Sequence, residues 1–523
     1  AIPGLASSMK GKMIHHVRPA PDTRHSGGAE TATPQSLPPL IADLADCGII
    51  PLTQQQRAVA HLTVDIAFSY HVAADDELLL QSLSSALTDF PVLCGRALKL
   101  RREDTAELVL CVPKAQHNAG TKTYSPSWAY VPLTFDTNER VDTYINGVAP
   151  NDWFAMAVNC IPSGACDLSS FANDEIDTSM LGDPMTRIRV STVDKGHQVI
   201  AISINHSLVD AGSISLFMSA WSRQYQLCRE MGGAEANKHE DVGLPNITFD
   251  HPMFDMDGKR NDEQTSVPDE WTRLLPNKSS GENPFVENKA NMTNETTDVS
   301  CTIYYRSREQ IELLKNKSLA ETHRQRKLQL EEQRGIHTPP YVSSNDALLG
   351  EVCKQLEATS VLLCMDWRPV LDRTTFFGYA VLFLYLDFPS ASNVAVACRN
   401  ILGWKGANGE GGCASTVRDA NFVMWKMQNE TKQGPTDLIW NSWTGLFNLH
   451  DQDYCNDNHG GDNFAEMECC PHDMLMSEQM CRARVDVARR GLSYAIVFPQ
   501  PNRSVRVYFF GPREAGRSLQ QLK

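Results

Sequence analysis

The residue types best able to do chemistry here are a histidine and an aspartate four places apart, His206 and Asp210, in Ile202-Ser203-Ile204-Asn205-His206-Ser207-Leu208-Val209-Asp210-Ala211-Gly212-Ser213. An imidazole ordinarily titrates near neutrality, so a rigidly held neutral ring can take a proton and give it back. The neighbours promise that rigidity. Val199 to Ile204 alternates like a strand, with Ile200, Ile202, Ile204 and His206 on one face. Asp210 and Gly212 mark a tight turn, and Ser213 is expected to cap the helix that follows. That helix carries Ile214, Phe217, Met218, Trp221, Tyr225 and Cys228 at helical spacing. A core histidine and a turn aspartate would account for the pair taken alone, because short patterns recur by chance. The flanks set this one apart.

Those flanks resemble the His-x-x-x-Asp-Gly motif of the BAHD acyltransferases, with Ala211 in place of the glycine and Gly212 one position later. Other blocks follow the family's order. Phe90-Pro91-Val92-Leu93-Cys94-Gly95-Arg96 is similar to its Phe-Pro-x-Leu-Ala-Gly-Arg block. Pro245 to His251 resembles Pro-x-x-Asp-Arg, with His251 for the arginine. Phe376-Phe377-Gly378-Tyr379-Ala380 resembles aromatic-Phe-Gly-Asn-Ala, with Tyr379 for the asparagine. Ile439-Trp440-Asn441-Ser442-Trp443 is similar to the Thr-Ser-Trp segment. The family's Asp-Phe-Gly-Trp-Gly falls near Asp453-Tyr454-Cys455, where its glycines and tryptophan are missing. The resemblance runs from Pro51 to Gly511.

It implies an α/β protein of two chloramphenicol-acetyltransferase-like domains, each a mixed β-sheet flanked by helices, with a channel between them. On that pattern residues 1–38 are a disordered N-terminal arm and 39–235 the first domain. Residues 236–298 are a crossover loop, and 299–523 the second domain, with an acidic insertion at about 448–476. The implied reaction moves an acyl group from acyl-CoA to the hydroxyl or amine of a small-molecule acceptor. His206 would be the general base, with no covalent enzyme intermediate and no tightly bound cofactor. Asn441 would stabilise the oxyanion. Its alternative, with equal claim, is an ordinary turn residue. Asp210 would pair with Arg368, fixing the loop geometry together with Gly212. Trp443, Ser442, Phe377 and Gly378 would line the channel.

Two other readings compete. Condensation domains of peptide synthetases take a carrier-protein thioester and carry His-His-x-x-x-Asp, but Asn205 holds the first histidine position here. A fold relative kept as a binding or structural subunit would suit the altered region near Asp453, whereas His206 and Asp210 argue for chemistry.

The elements that must position these groups are legible from periodicity. Leu62 to Tyr70 alternates as a strand, and Asp75 or Asp76 caps a helix with Leu79, Leu83, Ala86, Leu87 and Phe90 on one side. Val299 to Arg306 reads as a strand, followed by a capping-box match of Ser307 with Gln310 and a charged, solvated helix. A second helix starts at Ser343 to Asp346, and a strand runs from Val361 to Trp367. Gly491 to Pro499 and Ser504 to Gly511 form a hairpin.

Composition narrows the partners. The net charge of −15 opposes nucleic acid or an anionic membrane as the main partner. A hydrophobic share of 42% is ordinary for a globular protein, and 523 residues suit more than one domain. Fifteen scattered cysteines, an odd number, indicate a reducing compartment, hence the cytoplasm, or an organelle reached by a removed N-terminal segment. The longest apolar run, Tyr379 to Leu386, falls well short of the ~20 residues of a transmembrane helix. The sequon at Asn205 lies inside the central strand-turn, where a glycan would destroy the core. Cys455, His459, Cys469, Cys470 and His472 offer metal-ligand types, but their spacing fits no common zinc pattern, so no metal is expected. Two domains already complete the channel, which predicts a monomer.

Overall fold

The protein is described by a computed structural model of the 523-residue chain. The described residues are 13–18, 47–52, 56, 63–70, 74–102, 105–114, 116–118, 121–123, 129–137, 184–192, 198–230, 298–329, 341–366, 368, 375–387, 391, 394–402, 437–446, 473–476, 481, 484–485, 488–489, 492–500 and 503–521.

In chain order, strands β1 (Met13–Val17), β2 (Cys47–Pro51) and β3 (Thr63–Tyr70) precede helix α1 (Asp76–Asp89). A 3-10 turn at Pro91–Cys94 leads into β4 (Arg96–Arg102) and β5 (Thr105–Pro113). Next come β6 (Gln116–Asn118), β7 (Thr121–Thr123), β8 (Val131–Thr137), β9 (Thr186–Thr192) and β10 (Gln198–Asn205), then α2 (Ala211–Glu230). The second half holds β11 (Val299–Arg306), α3 (Arg308–Gln329), α4 (Ser344–Leu356), β12 (Ser360–Asp366), β13 (Val381–Asp387) and α5 (Val394–Leu402). It closes with β14 (Leu438–Ser442), β15 (Asp473–Met476), β16 (Ser493–Pro499), β17 (Val505–Pro512) and α6 (Arg513–Gln521).

These elements form two compact units. The first takes Ala1–His251 with Thr375–Tyr379 and Asp453–Met480. Its six-stranded sheet has the order β1-β8-β9-β10-β3-β15. β10 lies inside that sheet and is buried along its whole length. On one side Ile200, Ile202 and Ile204 meet Phe68, Ile66 and Val64 of β3. Burying each such side chain contributes about 1.5–3 kcal/mol. The opposite side is polar at one row, where Ser203 Oγ donates to the buried Asp65 at 2.6 Å. α1 is capped by Asp75, whose carboxylate accepts the amides of Glu77 and Leu78 at 2.9 Å each. It docks on α2 through Trp221 Nε1, which donates to Ser82 Oγ at 3.0 Å.

Within the stretch expected as a disordered arm, Met13–Val17 pairs antiparallel with β8 as an edge strand. A stacked aromatic contact is the physical reason. The His16 ring lies on Tyr130 at 4.1 Å, and the Arg96 guanidinium sits 4.7 Å over the same ring. Burial first, then Arg18 and Arg96, holds His16 below its ordinary pKa, so the stacked ring stays neutral. Pro- and Ser-rich flanks conceal this short strand in the sequence.

The second unit takes Pro252–Thr374, Ala380–Gln452 and Cys481–Lys523. Its six strands run β11-β17-β16-β14-β12-β13. β14 is parallel to both β12 and β16, while the hairpin β16–β17 is antiparallel. Val361, Leu363, Trp440, Ala495, Val497, Val507 and Phe509 point to one side and pack with Leu348, Leu349 and Val352 of α4 and Val394 and Cys398 of α5. Because side chains alternate along a strand, Asn441, Cys364 and Tyr494 are carried on the other side. The capping box of Ser307 with Gln310 forms as the sequence indicates, and Ser343 forms a second one with Asp346 at the start of α4. Among the described residues, no helix is long and apolar enough to cross a membrane.

Candidate active site

Asn205 ends β10 and fixes the turn that carries His206. Its amide oxygen accepts from the Ser207 amide at 2.9 Å and from Ser207 Oγ at 2.6 Å. Its own N–H donates to the Met185 carbonyl at 2.9 Å, and Gln56 Nε2 donates to the Ser207 carbonyl at 2.9 Å. Asn205 is fully buried, as expected of a residue that cannot carry a glycan. His206, half-buried, lies 2.9 Å from the Val209 carbonyl through Nδ1. A carbonyl oxygen only accepts, so that bond requires the proton on Nδ1 and leaves the lone pair of the neutral ring on Nε2. Tyr379 stands edge-on to the imidazole, ring centroids 5.4 Å apart.

Asp210, not Ser213, occupies the cap of α2. Its Oδ1 accepts the Ser213 amide at 2.9 Å, and its carbonyl accepts from Ile214 at 3.0 Å. The carboxylate competes better than a hydroxyl for the exposed amides of a first turn, which moves the helix start two residues ahead of Ser213 and takes in Gly212. Ser213 is thereby released for another task. Its hydroxyl donates to the Gly378 carbonyl and accepts the Gly378 amide, both at 2.8 Å. Phe377 joins the same assembly, 4.8 Å from Phe90, which in turn lies 5.5 Å from Phe217. Phe377 is 2% exposed, a core ring of the first unit. Three blocks far apart in sequence thus converge in the first unit: Phe90, the 206–221 stretch, and Phe376 to Tyr379, of which Tyr379 meets His206.

In the second unit, the Trp443 amide donates to the Val497 carbonyl at 2.8 Å, anchoring the end of β14. Its ring meets Phe498 edge-on at 4.8 Å. Trp443 Nε1 donates to Asn441 Oδ1 at 2.9 Å. An indole N–H cannot accept, so this bond sets the amide orientation and turns Nδ2 toward the Tyr494 hydroxyl, 3.4 Å away. One amide hydrogen faces Tyr494; the second has no acceptor among the described residues. Burial raises the pKa of the Tyr494 phenol above its ordinary value, partly opposed by Arg484, so it stays neutral. Ser442 Oγ lies 3.0 Å from Thr444 Oγ1. Arg368 is buried in this unit, and its Nη1 donates to Asp366 Oδ1 at 2.8 Å.

Among the described residues, no group of three or more His, Cys, Asp or Glu could hold a metal ion. Cys455, His459, Cys469, Cys470 and His472 lie outside the described residues, as do Asp453 to Cys455 and Pro245 to His251.

No protein-family model and no curated protein matches this chain. Solved structures do. F. graminearum TRI101 complexed with coenzyme A and deoxynivalenol is 13% identical at a TM-score of 0.52, covering 91% of this chain and 98% of that one. F. sporotrichioides TRI101 complexed with coenzyme A and T-2 is 13% identical at 0.50, covering 91% and 97%. The fold is that of the BAHD-type acyltransferases. Vinorine synthase also matches, 13% identical at a TM-score of 0.49 over 97% of this chain and 95% of that one.

The resemblance to the BAHD sequence pattern points to His206, Asp210, Asn441 and Trp443. Four residues that orient or adjoin them were missed: Ser213 as a bridge, Tyr379 beside the imidazole, and Tyr494 and Arg484 beside Asn441. Only Tyr379 left a trace, as a departure from the family block.

Proposed function

We propose that this protein is an acyltransferase that moves an acyl group from a coenzyme A thioester to the hydroxyl or amine of a small-molecule acceptor. The observation that carries the reading is the 2.9 Å contact of His206 Nδ1 with the Val209 carbonyl, which puts the lone pair on Nε2 of a ring at the end of a buried strand. In the reaction, Nε2 takes the acceptor's proton as its oxygen or nitrogen attacks the thioester carbon. The carbonyl oxygen becomes an oxyanion, and the remaining Asn441 amide N–H donates to it. Collapse breaks the carbon–sulfur bond, and the imidazolium returns the proton to the leaving thiolate. The products are an ester or amide and free coenzyme A, with no bond to the enzyme at any stage. General-base help of this kind contributes about 10²–10⁴-fold, and one oriented oxyanion donor about 10²–10³-fold.

Asp210 and Arg368 act in this reading as an architectural pair, and Gly212 lets the first turn of α2 start close behind Asp210. The acyl-CoA is a co-substrate. The site of action is the cytoplasm, a proposal supported by free thiols at Cys94, Cys111, Cys353 and Cys398. A monomer suffices for the reaction as written. The test is incubation of the pure protein with a panel of acyl-CoAs and a metabolite extract, following thiol release and acylated products together. Thiol release without any acylated product, or no release with any donor, overturns the reading.

A further inference from the structure

Arg484 lies on the Asn441 side of the second unit's sheet, its guanidinium 4.5 Å over the Tyr494 ring. It donates to the Tyr494 hydroxyl, whose oxygen is 3.4 Å from Asn441 Nδ2. The guanidinium is half-buried, its Nε is shielded from solvent without a hydrogen-bond partner, and no carboxylate pairs with it among the described residues. Two nearby groups could in principle become anions. Burial keeps both neutral, raising the Tyr494 phenol and pushing the Cys364 thiol up to about 12 even against the attraction of Arg484. A cation withdrawn from water without a counter-ion is costly, and the cost is recovered when a ligand brings the anion.

The position of Arg484 says which part of a ligand that is. If Asn441 holds the thioester oxygen, Arg484 stands one tyrosine hydroxyl away from it. The phosphates of coenzyme A are separated from the thioester by the whole pantetheine arm, so they do not reach. A carboxylate carried on the acyl group, a few bonds from the thioester carbonyl, falls within that reach. We infer that Arg484 binds a carboxylate on the acyl group, making the donor a dicarboxylic half-thioester, because an unpaired guanidinium adjoins the Asn441–Tyr494 pair. The inference rests on the acyltransferase reading above. The guanidinium suits the task, since it presents a planar fork to a carboxylate and cannot lose its charge.

Calorimetric titration of the purified chain with malonyl-CoA, butyryl-CoA and malonate alone tests this. Malonyl and butyryl groups have the same length and differ in the terminal charge. Wild-type protein is expected to bind malonyl-CoA about 10–100-fold more tightly than butyryl-CoA, the range of a charge-assisted hydrogen bond. Arg484→Gln should remove that preference while leaving butyryl-CoA affinity in place. Arg484→Met, which keeps the aliphatic stem on the Tyr494 ring, serves if the glutamine variant does not fold. Equal affinity for the two thioesters in wild type, or a preference that survives both substitutions, overturns the inference. If neither thioester binds while malonate binds wild type and not the variants, the acyl-CoA reading falls and the carboxylate site stands. If neither malonyl-CoA nor malonate binds, the carboxylate site falls.

Discussion

Ser213 and Gly378 are tied through one hydroxyl, which donates to the glycine carbonyl and accepts the glycine amide at 2.8 Å each. The two residues are 165 positions apart, and both are buried. This tie fixes the segment whose next residue, Tyr379, stands against the His206 ring. A hydroxyl is the smallest side chain able to serve both backbone groups at once.

Removing that hydroxyl should cost stability and loosen the imidazole's neighbour. Ser213→Ala is expected to destabilise the protein by about 1–3 kcal/mol, because buried backbone groups lose a partner. Gly378→Ala should be at least as damaging, since an added Cβ would lie 2.5 Å from Phe376 Cζ. Chemical denaturation of both variants measures this. Wild-type midpoints in both would show the tie to be incidental.

His206→Ala should lower turnover by about 10²–10⁴-fold with the melting temperature little changed. The measurement is kcat with a confirmed donor and acceptor beside a thermal melt. Near-normal turnover in a folded variant removes the proposed base.

Asp210 is expected to matter through architecture. Loss of its cap on α2 alone should cost about 0.5–2 kcal/mol in Asp210→Ala. If it also pairs with the buried Arg368, a double-mutant cycle of Asp210→Ala with Arg368→Ala should show a coupling of at least about 0.5 kcal/mol in stability. Additive effects would show that Asp210 and Arg368 are not coupled. Asp210→Asn should be milder than Asp210→Ala. Should both Asp210 variants melt like wild type yet fail to turn over, the aspartate has a chemical role.

Asn441→Ala should depress kcat by about 10²–10³-fold with donor KM little changed, as expected for a donor that acts on the transition state. Asn441→Thr should restore part of the loss, because a hydroxyl can also donate. A rise in KM alone would make Asn441 a binding or turn residue. Steady-state kinetics at several donor concentrations separates the two.

The sequence made some of this legible and hid the rest for physical reasons. Strands and helices whose hydrophobic pattern is continuous, such as β3, β10, α1 and the β16–β17 hairpin, were recognisable because burial imposes periodicity. His206 stood out through its flanks, and Asn441 through the Trp443 segment. The cap of α2 is ambiguous in the sequence because Asp210 and Ser213 are both good cap residues, and only geometry shows which accepts the amide. Ser213, Tyr494 and Arg484 were invisible as site neighbours, since each acts across a sheet or between distant segments. Met13–Val17 was hidden in a polar stretch, its place set by Tyr130 rather than by its own pattern.

The edge strand β15 bears on how the molecule is made. Residues Asp473–Met476 lie alongside β3, formed from Thr63–Tyr70, yet a ribosome synthesises them some four hundred positions later. Throughout that interval the flank of β3 has unsatisfied amides and carbonyls able to recruit a strand from another nascent chain. Expression yield should therefore depend on elongation speed and on chaperone supply, and fragments ending before residue 473 should be recovered mainly as aggregates.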